Sequence, residues 1–470
     1  MTYERTSTES QAPWTRRQCV QALGGGLGAV ALAGMLGGNA QAESSATAHG
    51  STNRGPHFPP RAKRVIQLFM NGGPFQADLF DPKPALNKFA GQRPAEVQLR
   101  TERETAGLMA VPTGFKAAGQ SGLAISELLP NLQRVADDLC VLRSCHTDNP
   151  NHGPALFLMN NGTIAPIRPS MGSWFTYGLG TENEDLPGYV VLCPGRPVRF
   201  AELWSSGFLP GEHQGLYINS SQIDPRQMVP NVQPTLEPES QRRQLDLLQQ
   251  INTQHAGERG GDARFEARMR SMETAFRMQF AASDAFDVSR EPANTRAMYG
   301  KSHYANACLL ARRLVERGVR FVQVYYGYGQ PWDTHRNHNA SVRGLCQDID
   351  QPTAALLADL KQRGLLEDTL VVWGGEFGRT STSEAGDGRD HNHWGFSMWM
   401  AGGGVRGGMS YGATDDFGFR AVQDKVHIHD LHATVLHLLG LDHERLTYRH
   451  AGRDFRLTDV HGRVVREILA

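Results

Sequence analysis

The sequence predicts an α/β protein in which a largely parallel sheet is sandwiched by helices, and three observations support this. Strand-like apolar runs and helix-like segments alternate strictly from residue 301 to residue 439. Such alternation is typical of parallel strands joined by helices that cover both faces of a sheet. Gly is abundant, at 51 of 470 residues, which fits many tight loops. At 40% hydrophobic residues, the chain can bury a large core.

Short apolar and β-branched runs that end in loop signals predict the strands. The first of them runs into Asn71-Gly72-Gly73-Pro74. The predicted strands are 64–70, 139–143, 189–192, 320–326, 369–373 and 396–401. Longer segments predict helices at 303–317, 342–363 and 428–439, and another helix is expected to begin near Pro154.

Residues 200–300 differ in amino-acid composition from the rest of the chain. The stretch 239–280 is dense in Gln, Arg, Glu and Met at helical spacing, which predicts a helical insertion or cap. Its methionines are interpreted as core residues. We interpret residues 61–470 as one α/β domain that carries this insertion, because α/β enzymes often run this long as a single unit.

The first 42 residues have the form of a twin-arginine (Tat) signal peptide. Arg16 and Arg17 precede a short Gly/Ala/Leu stretch over 20–36, and Ala40-Gln41-Ala42 supplies the small residues of a cleavage site. The apolar run is too short and too rich in Gly for a stable membrane span. We therefore expect folded export via Tat to the periplasm or the extracellular space, with residues 43–60 as a flexible linker. An ordinary Sec signal or a chance pair of arginines is the alternative.

Charge and cysteine content exclude several classes of protein. The 48 Lys+Arg residues balance 48 Asp+Glu residues, so no nucleic-acid partner is expected. Five cysteines follow the signal, an odd and sparse set that is no disulfide framework, although one bridge between Cys140 and Cys145 stays open. The chain contains no Cys-x-x-Cys pair, which argues against a thiolate zinc site.

Polar side chains collect where the predicted parallel strands end, and ligands bind at that edge of such sheets. The candidate metal ligands there are Asn71, Asp333, His335, His338, Glu376, His391 and His393. Imidazole with carboxylate suits zinc, manganese or iron, whereas calcium and magnesium favour oxygen alone. We expect a divalent metal, zinc first, with manganese or calcium as alternatives. The other interpretation is a hydrogen-bonded His–Asp network that only ties the loops together.

Two choices within this set stay open at the level of the sequence. Either His335 or His338 could be the inner ligand, and the same holds for His391 and His393. A second group of histidines lies in or beside the last predicted helix and is interpreted as mostly structural. Its members are His427, His429, His432 and His437.

The same loops resemble those of the alkaline phosphatase superfamily, which includes sulfatases and cofactor-independent phosphoglycerate mutases. Residues 369–378 are similar to the strand and "S/A-D-H-G" metal loop of those enzymes, and 429–440 are similar to a sulfatase helix. The segment from His152-Gly153-Pro154-Ala155 to Asn161-Gly162 resembles the one that holds the nucleophile. The resemblance implies an alkaline-phosphatase-like fold.

More closely, residues 61–470 resemble an exported family known as domain of unknown function 1501. The motifs that carry this resemblance are Asn71-Gly72-Gly73-Pro74, Asp81-Pro82-Lys83-Pro84, Asn151-His152-Gly153, Trp332-Asp333-Thr334-His335, Gly375-Glu376-Phe377-Gly378-Arg379 and Gly388-Arg389-Asp390-His391. The resemblance covers nearly all of the chain after the predicted linker.

The chain departs from the superfamily pattern at one of its two metal sites. The residues that match the first site are Asp333, His335 or His338, and His393 or His391. At the second site, Asn71, Glu376 and Phe377 stand where those enzymes have Asp, Asp and His. Neither Cys nor Ser stands at the nucleophile position, which holds His152 with Thr147 upstream, so a formylglycine sulfatase is disfavoured.

Together these features predict metal-dependent hydrolysis of phosphate or sulfate esters, with an anionic small molecule or polysaccharide ester as substrate. His152 is the candidate nucleophile or general base, Thr147 a further catalytic candidate, and Arg379 the candidate clamp for the leaving oxyanion. The alternative is a non-catalytic binding or scaffold protein on the same fold with a degenerate metal site. The sequence does not indicate the oligomeric state.

Overall fold

The computed structural model describes residues 55–98, 100–195, 200–222, 224–228, 237–259 and 263–470. The predicted signal peptide and most of the predicted linker fall outside the described residues, so both stay predictions. In the part of the chain that is described, none of the helices is long and apolar enough to cross a membrane.

The strands form the centre of the molecule. In chain order they are β1 (Arg64–Phe69), β2 (Phe115–Ala118), β3 (Leu123–Ser126), β4 (Leu139–His146), β5 (Tyr189–Cys193), β6 (Leu216–Asn219), β7 (Phe321–Tyr325), β8 (Thr369–Gly374), β9 (Gly378–Glu384), β10 (Gly388–Asn392), β11 (Phe396–Ala401), β12 (Met409–Tyr411), β13 (Ala413–Thr414), β14 (Ala421–Gln423), β15 (Val426–His427), β16 (Tyr448–His450) and β17 (Arg453–Phe455).

Helices pack around these strands, and two long ones fall within the predicted insertion. In chain order they are α1 (Gln76–Leu79), α2 (Pro84–Lys88), α3 (His152–Asn161), α4 (Met171–Leu179), α5 (Pro225–Met228), α6 (Pro238–Arg259), α7 (Ala263–Ala285), α8 (Ala293–Tyr299), α9 (His303–Glu316), α10 (His338–Gln362) and α11 (Ile428–Leu438). The two long helices are α6 and α7.

A single large sheet runs in the order β12-β4-β11-β8-β1-β7-β5-β6, and β15 also pairs with β4. The pairs on either side of β1 are parallel, as are those of β5 with β6 and β7 and those of β4 with β12 and β15. Strand β11 runs antiparallel to both of its neighbours, β4 and β8. The predicted α/β class with a largely parallel sheet is therefore confirmed.

Strand β1 lies in the middle of this sheet and is buried on both faces. In its ladder, Val65 lies opposite Phe321 of β7 on one side and opposite Leu370 of β8 on the other. Ile66 belongs to the core on the face of α9 and α10, whereas Val65 belongs to the core on the face of α3, α4 and α11. Burial from both sides explains why this strand is apolar except at Arg64 and Gln67, and each buried apolar side chain contributes about 1.5–3 kcal/mol.

A buried polar network anchors α3 to the sheet. The side-chain amide of Gln323 in β7 donates to Gln67 Oε1 at 2.9 Å and to Asn160 Oδ1 at 2.6 Å. The Tyr189 hydroxyl donates to Gln323 Oε1 at 2.9 Å. Because every partner is buried, breaking one bond would leave a costly unpaired group. The network therefore fixes the position of α3, whose first residue is His152.

The ribbon of β9 and β10 occupies residues where the sequence suggests only loops. Its side chains are mainly Thr, Ser, Arg and Asp, yet all of its residues are buried. Since no apolar alternation marks these strands, hydrophobic periodicity cannot detect them. The segment before β2 covers the ribbon, and Met109 N donates to Ser381 O at 2.9 Å.

Histidines attach α11 to the last turn of α3. His432 Nε2 lies 2.8 Å from Met159 O, and His429 Nε2 lies 3.0 Å from Gly162 O. The last carbonyls of a helix lack partners within the helix, so these imidazoles satisfy them. Burial lowers the pKa of His432 to about 3, and burial also lowers the pKa of His429. Both rings are thus held neutral as structural donors.

We expect the free energy of unfolding to fall as the pH drops below 6.5. The pKa of His432 is about 3 in the folded chain, and the ordinary value is 6.5. Between these values the unfolded state binds a proton that the folded state does not, so His432 stabilises the fold above pH 6.5 and loses this contribution as the pH falls towards 3. At pH 5 the loss from this residue is about 2 kcal/mol.

Chemical denaturation at several pH values measures this effect. His432→Gln, which keeps a donor, should show a shallower fall than the unchanged protein, whereas His450→Gln at an exposed position should match the unchanged protein. An equally steep fall in His432→Gln would contradict the assignment.

Candidate metal centre

Loops from several strands meet at the carboxyl edge of the sheet. His152 follows β4 as the first residue of α3, Asp333 and His335 follow β7, and Glu376 follows β8. His391 comes from β10, which leads into β11 at the same edge. These residues are separated by up to about 240 positions in the chain, and the parallel topology brings them together.

One oxygen of Asp333 is the centre of this cluster. Asp333 Oδ1 lies 2.9 Å from His335 Nε2, 3.1 Å from His391 Nε2 and 3.2 Å from His152 Nε2. The guanidinium of Arg379 reaches the same oxygen at 2.5 Å. His335 Nε2 and His391 Nε2 are themselves only 3.1 Å apart. Three imidazoles thus point the same ring nitrogen at one carboxylate oxygen.

The other nitrogen of each ring faces a carboxylate. The three Nδ1 contacts are His152 with Glu376 at 2.6 Å, His335 with Glu384 at 2.5 Å and His391 with Glu102 at 2.5 Å. Histidines that bind metal ions almost always donate the N–H that is not used for coordination to such a partner. That donation places the proton on Nδ1 and leaves the Nε2 lone pair free to coordinate an ion.

The geometry fits a small divalent ion. Ligands about 2.0 Å from a tetrahedral zinc lie about 3.3 Å from one another, and the three Nε2 atoms lie 2.9–3.2 Å from Asp333 Oδ1. His152 Nε2 is buried and makes no well-formed hydrogen bond among the described residues, although Asp333 Oδ1 is 3.2 Å away. A ring nitrogen that is close to an oxygen but misaligned for hydrogen bonding suits coordination. His152, Asp333 and His391 form one candidate metal group.

Contacts within the cluster shift the pKa values of Asp333, His152 and His335. Burial alone would raise the pKa of Asp333, but the three imidazoles and the Arg379 guanidinium hold it far below its ordinary range. Burial alone would lower the pKa values of His152 and His335, yet hydrogen bonds to their carboxylates raise both. Protons therefore compete with a metal ion for His152 and His335, so metal affinity should weaken as the pH falls.

Gly72 allows the first loop to pass directly beneath Asp333. Its φ is +112°, and a Cβ at this position would lie 2.5 Å from the backbone nitrogen of Asp333. The Gly72 N–H donates to both carboxylate oxygens of Glu376, at 3.1 and 3.2 Å, and the Gly72 carbonyl accepts from Arg379. The Asn71-Gly72-Gly73 motif is thus required for close backbone approach.

Arg379 lies under the cluster. Its side chain is fully buried, and besides Asp333 it donates to the carbonyl oxygens of Gly72, Gly73 and Arg389. Since these bonds occupy the guanidinium, the structure places Arg379 as a support for Asp333. The clamp for a leaving oxyanion that the sequence suggested would need donors facing the solvent.

Asn71 and His338 lie outside the group of rings. The Asn71 amide donates to the carbonyl oxygens of Gly327 and Gly329, which holds the loop after β7. His338 uses both ring nitrogens, one with Asp78 Oδ2 at 2.7 Å and one with Thr334 Oγ1 at 2.6 Å. Burial lowers the pKa of His338. It therefore supports the segment that carries Asp333 and His335.

Among the described residues, the contacts shown for His393 and Thr147 do not include this group. The backbone N–H of Thr147 donates to His393 O at 3.0 Å, and the His393 ring packs on Trp394 with centroids 4.3 Å apart. Burial lowers the pKa of His393 to about 4. The Thr147 hydroxyl is buried and has no hydrogen-bond partner among the described residues. In the structure, His335 contacts Asp333 in the choice between His335 and His338, and His391 contacts it in the choice between His391 and His393.

The sequence analysis did not predict three acidic residues of the centre, Glu102, Glu384 and Asp390. Glu102 lies in a segment without periodicity, and Glu384 ends a strand that hydrophobic patterning does not detect. Asp390 directly precedes His391, and its place beside a metal candidate was the one available signal. His335, Asp390 and His391 form a second candidate metal group.

The centre opens to solvent on one side. The Asp333 side chain is 23% exposed and that of Glu102 is 30% exposed, whereas Glu376 is fully buried. Arg103 lies at this opening with a half-exposed side chain, and its Nη1 donates to Glu384 Oε1 at 3.0 Å. An anion that enters here would meet a guanidinium before it reaches the imidazoles.

The sequence profile of a family described as "Protein of unknown function (DUF1501)" matches residues 62–469. No curated protein matches the chain significantly. Among solved structures, the PsFucS1 sulfatase from Pseudoalteromonas sp. is 14% identical, with 81% of this chain and 68% of that chain covered and a TM-score of 0.33. The lipoteichoic acid synthase LtaP from Listeria monocytogenes is 10% identical, with coverages of 85% and 76% and a TM-score of 0.37.

A TAB5 alkaline phosphatase mutant with bound Mg is 9% identical to this chain. The alignment covers 82% of this chain and 99% of that chain, with a TM-score of 0.32.

Replacing His391 should abolish tight zinc binding, whereas replacing His393 should not. We expect His391→Ala to weaken zinc affinity by more than about 100-fold, beyond the loss typical of an outer-shell partner. His393→Ala should bind zinc like the unchanged protein, because its ring packs on Trp394 away from Asp333. Competition with a chromophoric chelator measures both affinities, and equal losses in the two variants would contradict this placement.

Proposed function

This chain belongs to the DUF1501 family, and we propose that it is a metal-dependent hydrolase of phosphate or sulfate esters. The observation that carries the proposal is the arrangement of His152, His335 and His391 around Asp333, each ring backed by its own carboxylate. Such backing raises the basicity of a histidine ligand and fixes its tautomer. A purely structural His–Asp network would not require a separate carboxylate behind each of three rings.

A divalent ion suits this centre, with zinc as the first candidate and manganese as the alternative. Imidazole nitrogens dominate the donor set, and such sets favour zinc, manganese or iron over calcium. When bound there, the ion would polarise an ester oxygen as a Lewis acid and make water a stronger nucleophile near neutral pH.

The protein side chains divide the remaining tasks. Arg379 fixes the orientation of the Asp333 carboxylate, and Glu376 holds the Nδ1 proton of His152. Since Nδ1 of His152 is bonded to Glu376 and Nε2 faces Asp333 without a well-formed hydrogen bond, we assign His152 to ion binding instead of nucleophilic attack. Arg103 at the opening is suited to orient the anionic oxygens of an ester, as charge-assisted bonds to sulfate or phosphate require. The substrate class is an anionic small molecule or polysaccharide ester.

A second candidate function is a non-catalytic binding or scaffold protein that a metal ion stabilises. The observation that favours it is that four protein ligands, Asp333 and three histidines, can satisfy a tetrahedral zinc without an open position. Closed four-ligand sites are typical of structural zinc. In that case the ion would raise the thermal stability of the protein without supporting turnover.

Ester hydrolysis by natively exported protein tests the two candidates. We expect turnover of aryl phosphate or aryl sulfate esters that stops on chelation and returns with zinc or manganese. Asp333→Asn should lower kcat/KM by at least about 100-fold, because an ion contributes several kcal/mol to transition-state stabilisation. Asp387→Asn, at an exposed turn, is the matched control. Metal-bound protein that turns over neither ester would favour the scaffold function.

We further propose that the protein leaves the cytoplasm folded, through the Tat route, so that the metal can be loaded before export. The support is Arg16-Arg17 ahead of a weakly apolar stretch. Replacing both arginines with lysine should retain the precursor in the cytoplasm, as fractionation and immunoblotting would show. Undiminished export of the double-lysine variant would indicate the Sec route instead.

A further inference from the structure

Asp390 is a fully buried carboxylate beside the metal centre that none of the roles above uses. Its Oδ2 accepts the backbone N–H of Arg103 at 2.6 Å. Its Oδ1 is also buried, yet it has no hydrogen-bond partner in the described part of the chain. A buried carboxylate oxygen without a donor is costly unless a cation supplies the missing interaction.

Asp390 and His391 are neighbours on β10, and the pairing of β10 with β9 is irregular where they lie. Arg389 pairs with Ser383 and His391 pairs with Arg379, so three residues of β9 (380–382) stand opposite Asp390 alone. Such irregularities in strand pairing are common beside functional sites. One oxygen of Asp390 and one ring nitrogen each of His335 and His391 lie within 4.8 Å of one another.

We propose that Asp390 is a further ligand of the metal ion, an inference that rests on the proposed function. The ion would then be held by Asp390 together with Asp333, His152, His335 and His391. The Nδ1 atoms of His335 and His391 face Glu384 and Glu102, so their Nε2 atoms remain for the same ion. Because His391 belongs to both candidate groups, we place one ion beside its ring, with the side chains of both groups around it.

The charges of the cluster support a second ligating carboxylate. Five carboxylates surround the rings, Asp333, Glu376, Glu384, Glu102 and Asp390, and two arginines contact them, Arg379 and Arg103. With neutral imidazoles, three negative charges stay uncompensated in a largely buried site, which is unfavourable. A divalent ion between Asp333 and Asp390 leaves only one.

This ligand set also narrows the choice of metal. Three imidazoles and two carboxylates exceed the four ligands that zinc prefers in protein sites. Manganese and iron accept five or six nitrogen and oxygen ligands readily, and the second carboxylate favours them further. Asp390 would therefore shift the preference of this centre from zinc towards Mn²⁺ or Fe²⁺.

The test is ion binding by Asp390→Asn in the complete exported protein, with Mn²⁺ and Co²⁺ alone as probes. The asparagine keeps an acceptor for Arg103 N, so the fold should survive, as circular dichroism would verify. We expect Asp390→Asn to lower the Mn²⁺ affinity by more than about 100-fold. Glu384→Gln, which removes an outer-shell carboxylate, should lower it by only about 10–100-fold. Asp390→Glu should restore part of the loss.

The visible absorption of bound Co²⁺ reports its coordination directly. The unchanged protein should show the weak bands of a five- or six-coordinate ion, Asp390→Asn should change them, and Asp387→Asn on the same hairpin should not. Intense tetrahedral bands in the unchanged protein would overturn the proposal even if Asp390→Asn failed to fold. Unaltered bands and affinity in a folded Asp390→Asn would also overturn it. An unchanged protein that binds neither ion would instead refute the proposed function.

Discussion

The contact of one Asp333 oxygen with three imidazoles and a buried guanidinium organises this edge of the protein. Each of those partners comes from a different stretch of chain, so the oxygen is where β4, β7, β9 and β10 are tied together. Burial disfavours the charge of Asp333, and the surrounding donors keep its pKa far below the ordinary range. An anion stabilised so strongly in a largely buried site is suited to a cation.

The sheet supplies the rigidity that such a centre needs. Strand β1 is paired in parallel on both sides, and its loop passes under Asp333 at Gly72, where only glycine fits. Helix α3 is held by Gln323 and Asn160 in the middle of the sheet and by His432 at its last turn. These contacts position His152 from two directions. Ligands placed on well-packed elements hold their geometry better than ligands on free loops.

The chemistry of the centre differs from the two-metal pattern that the loops resemble. Glu376 and Asn71 stand where that pattern has metal ligands, and here one backs His152 while the other holds a loop through backbone carbonyls. In the proposed function, His152 binds the ion in place of a nucleophile. The result is one centre rich in nitrogen, with the carboxylates in the second layer and Arg103 at its opening.

The sequence by itself determined the α/β class, because strands such as β1, β7 and β8 are buried on both faces and are therefore mainly apolar. It also placed Asp333, His335 and His391 at the carboxyl edge, since polar residues that follow parallel strands share that edge. Only the tertiary structure distinguished His335 from His338 and His391 from His393, because the packing of the loops decides which ring faces Asp333. Likewise, Glu102, Glu384 and Asp390 carry no periodic signal, and contacts between distant segments alone bring them to the imidazoles.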